Sequence, residues 1–480
     1  MSANVEMSTI ETKVPGRLDR LPWSRFHWMV VIGLGTVWIL DGLEVTIVGS
    51  IASRLTEKDS GLALSTSQIG TAAAFYVGGA CLGALFFGQL TDRFGRKKLF
   101  LLTLLVYIVA TVATAFSTTA LFFFIARFFT GAGIGGEYAA INSAIDELIP
   151  ARVRGRVDLI INGSYWLGAA FGALGSLLLL NTSLFAADVG WRVAFGIGAV
   201  LGLAILLVRR HVPESPRWLF IHGREEEAER IVDSIEREVE EETNEPLDEP
   251  DGAITVHQRK TISFREVART AFKVYPRRTI LGFALFIGQA FIYNAVTFDL
   301  GSILSEFFKI DSGKVPIYIA LFAVSNFLGP LLLGRLFDSL GRRRMITATY
   351  ALSGVLLALS GWAFEAGWFD ATEQTLAWTA IFFFASAAAS SAYLTVGETF
   401  PLEVRAVAIS IFYAFGTAVG GIAGPAIFGA LIQTGSRSEL LLGYLLGGGL
   451  MVAAAVVAFW LGVDAERRSL EEVAPPLSAA

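Results

Sequence analysis

Long, nearly uninterrupted runs of apolar residues constrain this chain more than any other feature. They recur about twelve times, and the run from Ala72 to Gly88 is typical, because it is apolar on every side of a helix. A run of roughly 20 residues crosses the hydrocarbon core of a bilayer as a helix, which pairs its own backbone groups. The strands of a membrane barrel alternate every second residue instead. The sequence therefore predicts an all-α polytopic membrane protein with about twelve transmembrane helices.

Composition supports this class and excludes others. Charged residues make up 17% of the 480 residues, against about 25% in soluble proteins, and the mean hydropathy is +0.58. The net charge is −5, and no basic stripe with interleaved aromatics indicates nucleic-acid binding. We find no nucleotide-binding loop, metal-ligand cluster or nucleophile motif, so we expect no enzyme, cofactor or metal site. Cys81 is a single cysteine and can form no intrachain disulfide.

The predicted spans form two groups of six. The first group covers residues 28–52, 69–90, 99–117, 121–146, 157–180 and 191–208. The second covers residues 279–304, 315–337, 345–364, 375–396, 406–432 and 439–462. They predict an N-terminal bundle (28–208) and a C-terminal bundle (279–462), with tails at 1–27 and 463–480. The linker between the bundles (209–278) holds 29 of the 81 charged residues, which favours a solvated connector with a helical part near Glu225 to Glu242.

Basic residues are concentrated in alternate short loops. Residues 93–98 and 152–156 are rich in arginine and lysine, whereas the loops on the opposite side carry few. Basic loops stay in the cytoplasm, so both tails and the linker are predicted to be cytoplasmic. The first 26 residues lack the features of a cleaved secretory signal. We therefore expect a multi-pass protein of the cell inner membrane.

An internal repeat relates the two groups of spans. The loops after spans two and eight share a motif at a shift of 246 residues, with the members Gly88, Asp92, Gly95 and Arg96, and Gly334, Asp338, Gly341 and Arg342. The ends of spans four and ten share a second motif at a shift of 251, with the members Glu147, Pro150 and Arg154, and Glu398, Pro401 and Arg405. Two motifs at nearly one offset indicate a parallel duplication. Transporters of this architecture hold their solute between the halves near the midplane.

At these motifs the chain resembles the major facilitator superfamily, and more narrowly its sugar-porter-like branch. The loop G-Q-L-T-D-R-F-G-R-K-K from Gly88 resembles the superfamily signature, and PESPRWL at Pro213 to Leu219 is similar to the segment after span six of sugar porters. The resemblance covers nearly the whole chain apart from the tails and the linker. It implies two six-helix bundles, transport by alternating access, and a chain that acts as a monomer.

Ionisable residues inside spans cost about 2.5 to 3.5 kcal/mol to insert, which makes them candidates for function. They are Asp41, Glu44, Arg127, Glu137 and Asp299. Asp41 and Glu44 share a helix face, so their repulsion is expected to keep one of them protonated. The resemblance puts Glu44 at the acid of proton-coupled members and Arg127 at its partner. We therefore predict proton coupling by Glu44, Arg127 and Asp41, with a fixed structural ion pair as the alternative.

Amide and aromatic side chains of spans five, seven and ten are the predicted solute site. They are Asn162, Tyr165, Trp166, Gln289, Tyr293, Asn294 and Tyr393, with Asp299 as a further candidate. Amides and phenols donate and accept hydrogen bonds, which suits a polar organic solute. Gln289 and Asn294 keep the interval of the sugar-binding segment of sugar porters, whereas Asn162 and Tyr393 depart from that pattern. Gln289 and Asn294 point about 140° apart on a regular helix. For both to reach one cavity, we expect span seven to be unwound near Gly288.

Acids and arginines at the cytoplasmic ends of the spans form a candidate gate. Its members are Asp92, Arg93, Arg96, Glu147, Arg154, Asp338, Arg342, Glu398 and Arg405. The resemblance implies that they bridge the two halves when the carrier opens outward, and topology alone is the alternative for the arginines. Gly88 and Gly334 allow close helix approach at this end.

The predicted function is a secondary active transporter that moves a small polar organic solute, sugar-like or a related metabolite, by proton symport. The segment G-G-E-Y at Gly135 to Tyr138 is more similar to carriers of organic acids. A porter or exporter of organic or aromatic acids or organic cations, and a proton-independent uniporter, are therefore alternatives. A sensor that does not move its solute is disfavoured by the gate motifs in both halves. The expected partners are the solute, protons and the lipid bilayer.

Overall fold

The chain is helical over most of its length. The structure, a computed structural model, describes residues 9–209, 212–250, 252–259, 262–311 and 314–479. In the first half, the helices are α1 (Val14–Asp19), α2 (Arg25–Thr56), α3 (Thr66–Phe94), α4 (Arg96–Ala115), α5 (Ala120–Leu148), α6 (Arg154–Leu179), α7 (Gly190–Arg209), α8 (Pro216–Ile221) and α9 (Glu225–Thr243). After them come α10 (Phe264–Arg269), α11 (Pro276–Phe308), α12 (Val315–Ser339), α13 (Arg342–Glu365), α14 (Ala371–Thr399), α15 (Arg405–Gln433), α16 (Arg437–Leu461) and α17 (Leu470–Val473).

Twelve of these helices account for the predicted spans. Within the described residues, eleven are long and apolar enough to cross a bilayer. The helix α11 makes a twelfth, although its parts Pro276–Ala295 and Leu300–Phe308 meet at 44°. The all-α polytopic fold is therefore confirmed. Most helices run a few residues past the predicted bounds, because hydropathy locates the apolar centre of a helix while its polar ends continue to a cap, although α4, α6 and α16 end one or two residues before the predicted bound.

The two halves repeat one packing scheme. The contacts α2–α6, α3–α5 and α4–α7 of the first half recur as α11–α15, α12–α14 and α13–α16 in the second. The halves meet through α3 against α15 and through α6 against α12. The outer surface of the bundles exposes large apolar side chains such as Phe86, Val109 and Leu121, as a bilayer requires. The parallel duplication inferred from the motifs is thus visible in the packing.

The linker and both terminal segments assemble on one end of the bundles, which we call the termini-bearing end. The strand β1 (Thr9–Thr12) pairs antiparallel with β2 (Ile254–His257), and Ala479 bridges to Val256 of β2. Arg217 then forms ion pairs with Asp19 at 2.9 Å and with Glu471 at 3.0 Å. Segments from the start, middle and end of the chain therefore form one cap, in which α9 is the longest helix of the linker.

A second set of contacts attaches this cap to the bundles. Glu214 accepts a hydrogen bond from the backbone N–H of Arg96 at 2.8 Å, at the first turn of α4. Glu466 accepts from the backbone N–H of Arg342 at 3.2 Å, at the first turn of α13. Burial raises the pKa of Glu214, while hydrogen bonds from the backbone N–H groups of Ser215, Arg96 and Lys97 and the charge of Arg96 act in the opposite direction. In each bundle, the N-terminus of the third long helix is therefore capped by an acid that follows the last long helix of the same bundle.

The close approach of α2 to α6 gives a test of this packing. A Cβ atom on Gly42 would lie 1.8 Å from the carbonyl oxygen of Tyr165, whereas one on Gly49 in the same helix would meet nothing within 4 Å. We expect Gly42→Ala to separate the helices and to cost about 1 to 3 kcal/mol of stability. Its melting temperature in detergent should fall by several degrees. Gly49→Ala is the matched control, and equal melting temperatures for the two variants would contradict this packing.

Candidate functional site

A cavity lies between the two bundles at their centre. It has a volume of about 190 Å³ and is lined by both halves of the chain. The lining residues are Trp38, Val45, Tyr76, Val77, Ala80, Tyr138, Asn162, Tyr165, Trp166, Gln289, Ala290, Tyr293, Asn294, Ser386, Ala389, Ser390, Tyr393, Tyr413 and Thr417. None of these described lining residues is charged. Rings, amides and hydroxyls therefore form the surface that a solute would contact.

Aromatic rings from opposite bundles touch across this cavity. The ring centroids of Trp166 and Tyr293 are 5.3 Å apart, and those of Tyr138 and Tyr413 are 4.8 Å apart. Trp38 stacks on Tyr138 at 4.4 Å with an interplanar angle of 10°. Such walls offer flat, rigid faces on which a planar solute can stack.

The structure brings together all seven of the predicted amide and aromatic residues. Asn162, Tyr165, Trp166, Gln289, Tyr293, Asn294 and Tyr393 all line the cavity. The side chain of Asp299 lies outside the described residues. The expected unwinding near Gly288 is wrong, because α11 is helical through this glycine and through Asn294. Two side chains about 140° apart on an intact helix still reach one cavity, since they line different parts of its wall.

The predicted proton-coupling residues lie directly behind the cavity wall. Glu44 of α2 forms a buried ion pair with Arg127 of α5. The guanidinium of Arg127 also lies over the ring of Tyr76, 4.5 Å from its centroid. Asp41 accepts a hydrogen bond from the hydroxyl of Tyr138. Each carboxylate therefore has its own partner, and each partner contacts or belongs to the cavity wall.

Sequence reasoning missed several wall residues. Trp38, Tyr76 and Tyr413 line the cavity although no motif drew attention to them, and Tyr138 lines it although its segment G-G-E-Y was interpreted only as a similarity to organic-acid carriers. Trp38 stands three residues before Asp41 on one helix face, and this spacing was a usable signal. Glu137 is buried in α5 but is not among the lining residues.

The candidate gate is a buried network at the termini-bearing end. Within the first bundle Arg96 pairs with Glu147 at 2.8 Å, and within the second Arg342 pairs with Glu398 at 2.9 Å. Across the interface Arg405 reaches Glu147 at 3.3 Å, and Arg154 reaches Glu398 at 3.7 Å. The duplicated motif thus gives each glutamate one arginine from its own bundle and one from the other. Arg93 is exposed and takes part in none of the ion pairs found among the described residues.

Two aspartates close the same end through backbone contacts. Asp92 of α3 accepts a hydrogen bond from the N–H of Val407 at 2.9 Å, in the first turn of α15. Asp338 of α12 accepts from the N–H of Arg156 at 2.8 Å and of Gly155 at 3.1 Å, in the first turn of α6. Each carboxylate therefore caps a helix of the opposite bundle, where the unpaired N–H groups and the helix dipole favour negative charge.

Glycine makes the bundles meet closely beside these contacts. A Cβ atom on Gly88 would lie 1.8 Å from the hydroxyl of Ser410, and one on Gly163 would lie 2.7 Å from Pro330. Among the described residues, most hydrogen bonds and ion pairs between the bundles lie at this end. A hydrogen bond near the cavity is donated by the thiol of Cys81 to the carbonyl oxygen of Ala414. The structure is therefore closed at the termini-bearing end.

Comparison with known proteins agrees with this architecture. Residues 44–476 match the family model described as sugar (and other) transporter. The chain is 28% identical to the niacin transporter NiaP of Acinetobacter baylyi over 462 residues, which cover 95% of this chain and 98% of that protein. It is 26% identical to the 4-hydroxybenzoate transporter PcaK of the same organism, over 92% of this chain and 93% of that one.

A solved structure shares the fold. The proton:xylose symporter XylE of E. coli, bound to 6-bromo-6-deoxy-D-glucose, superimposes with a TM-score of 0.77 at 18% identity, covering 94% of this chain and 98% of that one. That likeness concerns the fold alone. The family match over most of its length assigns the chain to the sugar (and other) transporter family of the major facilitator superfamily, whose members are multi-pass membrane transporters and not enzymes.

Proposed function

We propose that the protein is a proton symporter that imports a small aromatic or heteroaromatic carboxylate across a cell inner membrane, with both termini in the cytoplasm. One observation carries the proposal: an uncharged, ring-lined cavity has the Glu44–Arg127 pair directly behind its wall. A cavity of about 190 Å³ suits a solute of one ring. The basic short loops support the orientation, because they belong to the termini-bearing end.

The pair behind the wall provides a way to couple a proton to an anion. While Glu44 is ionised it neutralises Arg127, so the cavity has little attraction for a carboxylate. A proton on Glu44 cancels that partner and leaves the positive charge of Arg127 at the ring of Tyr76, which lines the cavity. Proton and carboxylate then favour each other's binding, which is the thermodynamic requirement for symport.

The rings favour an aromatic solute over a sugar. Stacking between flat faces needs no hydroxyl groups on the solute, and Asn162, Gln289 and Asn294 add hydrogen bonds at the edges. The relatives that transport niacin and 4-hydroxybenzoate have names that denote single-ring carboxylates, which supports the same class. A sugar-like solute remains the competing class, because amides and rings also bind polyols.

Niacin and nicotinamide test whether the solute must carry a carboxylate, since they share one ring and differ in a carboxylate against a neutral amide. Xylose tests the sugar class. In liposomes holding the purified protein, we expect a proton gradient directed inward (acidic outside) to drive accumulation of labelled niacin or 4-hydroxybenzoate. It should drive accumulation of neither nicotinamide nor xylose. Glu44→Gln should abolish accumulation and retain counterflow exchange, because the glutamine side chain resembles protonated Glu44 at every pH and cannot release a proton. Glu439→Gln, which changes an exposed acid on α16, is the matched control.

Three outcomes would contradict this proposal. Accumulation of xylose or an inositol without the carboxylates would replace the solute class. Accumulation by Glu44→Gln at the rate of the unmodified protein would remove the coupling role of the pair. Carboxylate exchange that ignores the pH gradient in the unmodified protein would make it a uniporter.

Alternating access also requires that the termini-bearing end can open. Asp338→Ala removes the hydrogen bond that the carboxylate accepts from the N–H of Arg156 at 2.8 Å, which caps α6. It also removes the ion pair with Arg342, whose N···O distance is 2.8 Å. Hydrogen bonds to a charged group contribute about 1.5 to 3 kcal/mol, so the open population should rise roughly tenfold or more. Nitroxide labels at Lys98→Cys and Arg344→Cys, both exposed positions at this end, report the separation after Cys81→Ala removes the native thiol.

The expected result is a new population at longer label distance in Asp338→Ala. Asp464→Asn, an exposed acid near the same end, is the control and should keep the distribution of the unmodified protein. Identical distributions for Asp338→Ala and the control would mean that this carboxylate does not hold the end closed.

A further inference from the structure

Two buried aspartates near the gate stand outside its duplicated motif. Asp146 precedes Glu147 in α5, and Asp158 follows Arg154 by one turn in α6. At the repeat offset of 251 residues, the corresponding positions of the second half are Gly397 and Ile409. Neither acid is therefore part of the gate that both halves share. Both side chains are fully buried, with no exposed area.

Asp158 is connected to the transport cavity through one amide. The Nδ2 of Asn162 donates to Oδ1 of Asp158 at 3.2 Å and to Oδ1 of Asn142 at 3.0 Å. Asn162 itself lines the cavity. The second oxygen of Asp158, Oδ2, accepts no hydrogen bond from any described residue. Asp158 thus lies between the cavity and the gate.

Asp146 reaches across the interface between the bundles. A Cβ atom on Gly397 of α14 would lie 1.7 Å from its Oδ2, so the carboxyl packs against the backbone of the other half. Neither of its oxygens accepts a hydrogen bond from the part of the chain that the structure describes. The carboxyl can keep this position only while the termini-bearing end is closed.

The charges around these two acids do not neutralise them. The neighbouring elements α3, α4, α5, α6, α12, α13, α14 and α15 contribute, in that order, Asp92, Arg96, Glu147, Arg154, Asp338, Arg342, Glu398 and Arg405. Four arginines here face four acids, with which they form the ion pairs of the gate, and Arg154 also pairs with Asp19 of the cap at 3.3 Å. Asp146 and Asp158, if ionised, would add two further negative charges. Burying a charge without a partner costs several kcal/mol, so a cation must neutralise them.

We infer that Asp158, with Asp146 beside it, is a second proton-binding site of this carrier, occupied while the termini-bearing end is closed. A proton needs one carboxyl oxygen, whereas a metal ion needs several ligands. Among the described residues no group of three histidine, cysteine or acidic side chains could hold a metal ion. The inference rests on the proposed alternating-access mechanism but not on the identity of the solute.

Opening of the end accounts for release of the proton. When the bundles part, Asp146 leaves Gly397 and both carboxyls gain water, so each one that carries a proton ionises and releases that proton to the water on that side. In the closed state the Asn162 amide links Asp158 to the cavity, from which the site would be loaded again. Protons therefore stabilise the closed end: acid favours closure, and rising pH favours opening.

This linkage is measurable without any solute. With the Lys98→Cys and Arg344→Cys labels in lipid nanodiscs, we expect the closed-to-open ratio to fall as pH rises, by up to about tenfold per pH unit for each proton released. Asp158→Asn mimics the protonated acid and should reduce this pH dependence while keeping the end closed at high pH. Asp146→Asn is a second, independent variant with the same expected direction.

The controls separate this site from the proposed coupling pair. Glu44→Gln should keep the pH dependence of the label distances that arises at the gate, and Asp464→Asn should keep all of it. A gate that responds equally to pH in the unmodified protein, Asp158→Asn and Asp146→Asn overturns the inference, as does a gate with no pH response. A response to sodium at constant pH would also overturn it, because the bound cation would then be a metal ion.

Infrared spectroscopy gives a second readout that a structural role would not change. The carbonyl stretching band of protonated carboxyl groups at neutral pH should lose intensity in Asp158→Asn. Glu439→Gln, at an exposed acid, should leave the band unchanged. An unchanged band in Asp158→Asn would mean that Asp158 is ionised in the closed protein, which contradicts the site. Failure to transport any carboxylate would refute the proposed function and leave these measurements valid.

Discussion

A carboxylate of each bundle caps a helix of the other, and the closed state depends on these reciprocal contacts. Asp92 binds the first turn of α15, and Asp338 binds the first turn of α6. The orphan N–H groups of a helix start attract negative charge, and here they are supplied by the opposite half. Each contact exists only when the two helix ends meet, so it stabilises the closed state and not the packing within a bundle. The ion pairs of Glu147 and Glu398 with arginines from both halves strengthen the same closure.

Much of this was predictable because membranes impose simple rules. Hydropathy located the spans, and two repeated motifs indicated the duplication and drew attention to the acids and arginines at the cytoplasmic ends, but not to which of them pair. The seven amide and aromatic residues predicted at the solute site do line one cavity. The unwinding near Gly288 was wrong, because α11 stays helical from Gly288 through Asn294 and bends only beyond Ala295, and Gln289 and Asn294 still line one cavity.

Other features could not be predicted, for physical reasons. The cap joins β1, β2 and Ala479 across more than two hundred residues, and four-residue strands carry too little pattern to reveal their partners. The hydrogen bond from Tyr138 to Asp41 depends on how α2 and α5 rotate toward each other. Asp146 and Asp158 belong to no repeat, so only the three-dimensional neighbourhood distinguishes them from ordinary acids at helix ends.

The two halves have kept one scaffold and different side chains. Asp41, Glu44 and Arg127 all belong to the N-terminal half, whereas the position 251 residues after Arg127 is Trp378, and both halves line the cavity with neutral groups. Under the proposed mechanism, energy conversion is therefore encoded in one duplicate, whereas both duplicates contribute to the shape of the solute site. Substitutions in α11 or α14 can then alter selectivity while the energetics of coupling stay intact. Such a separation lets a lineage of carriers acquire new nutrients by changing one half of an ancestral gene.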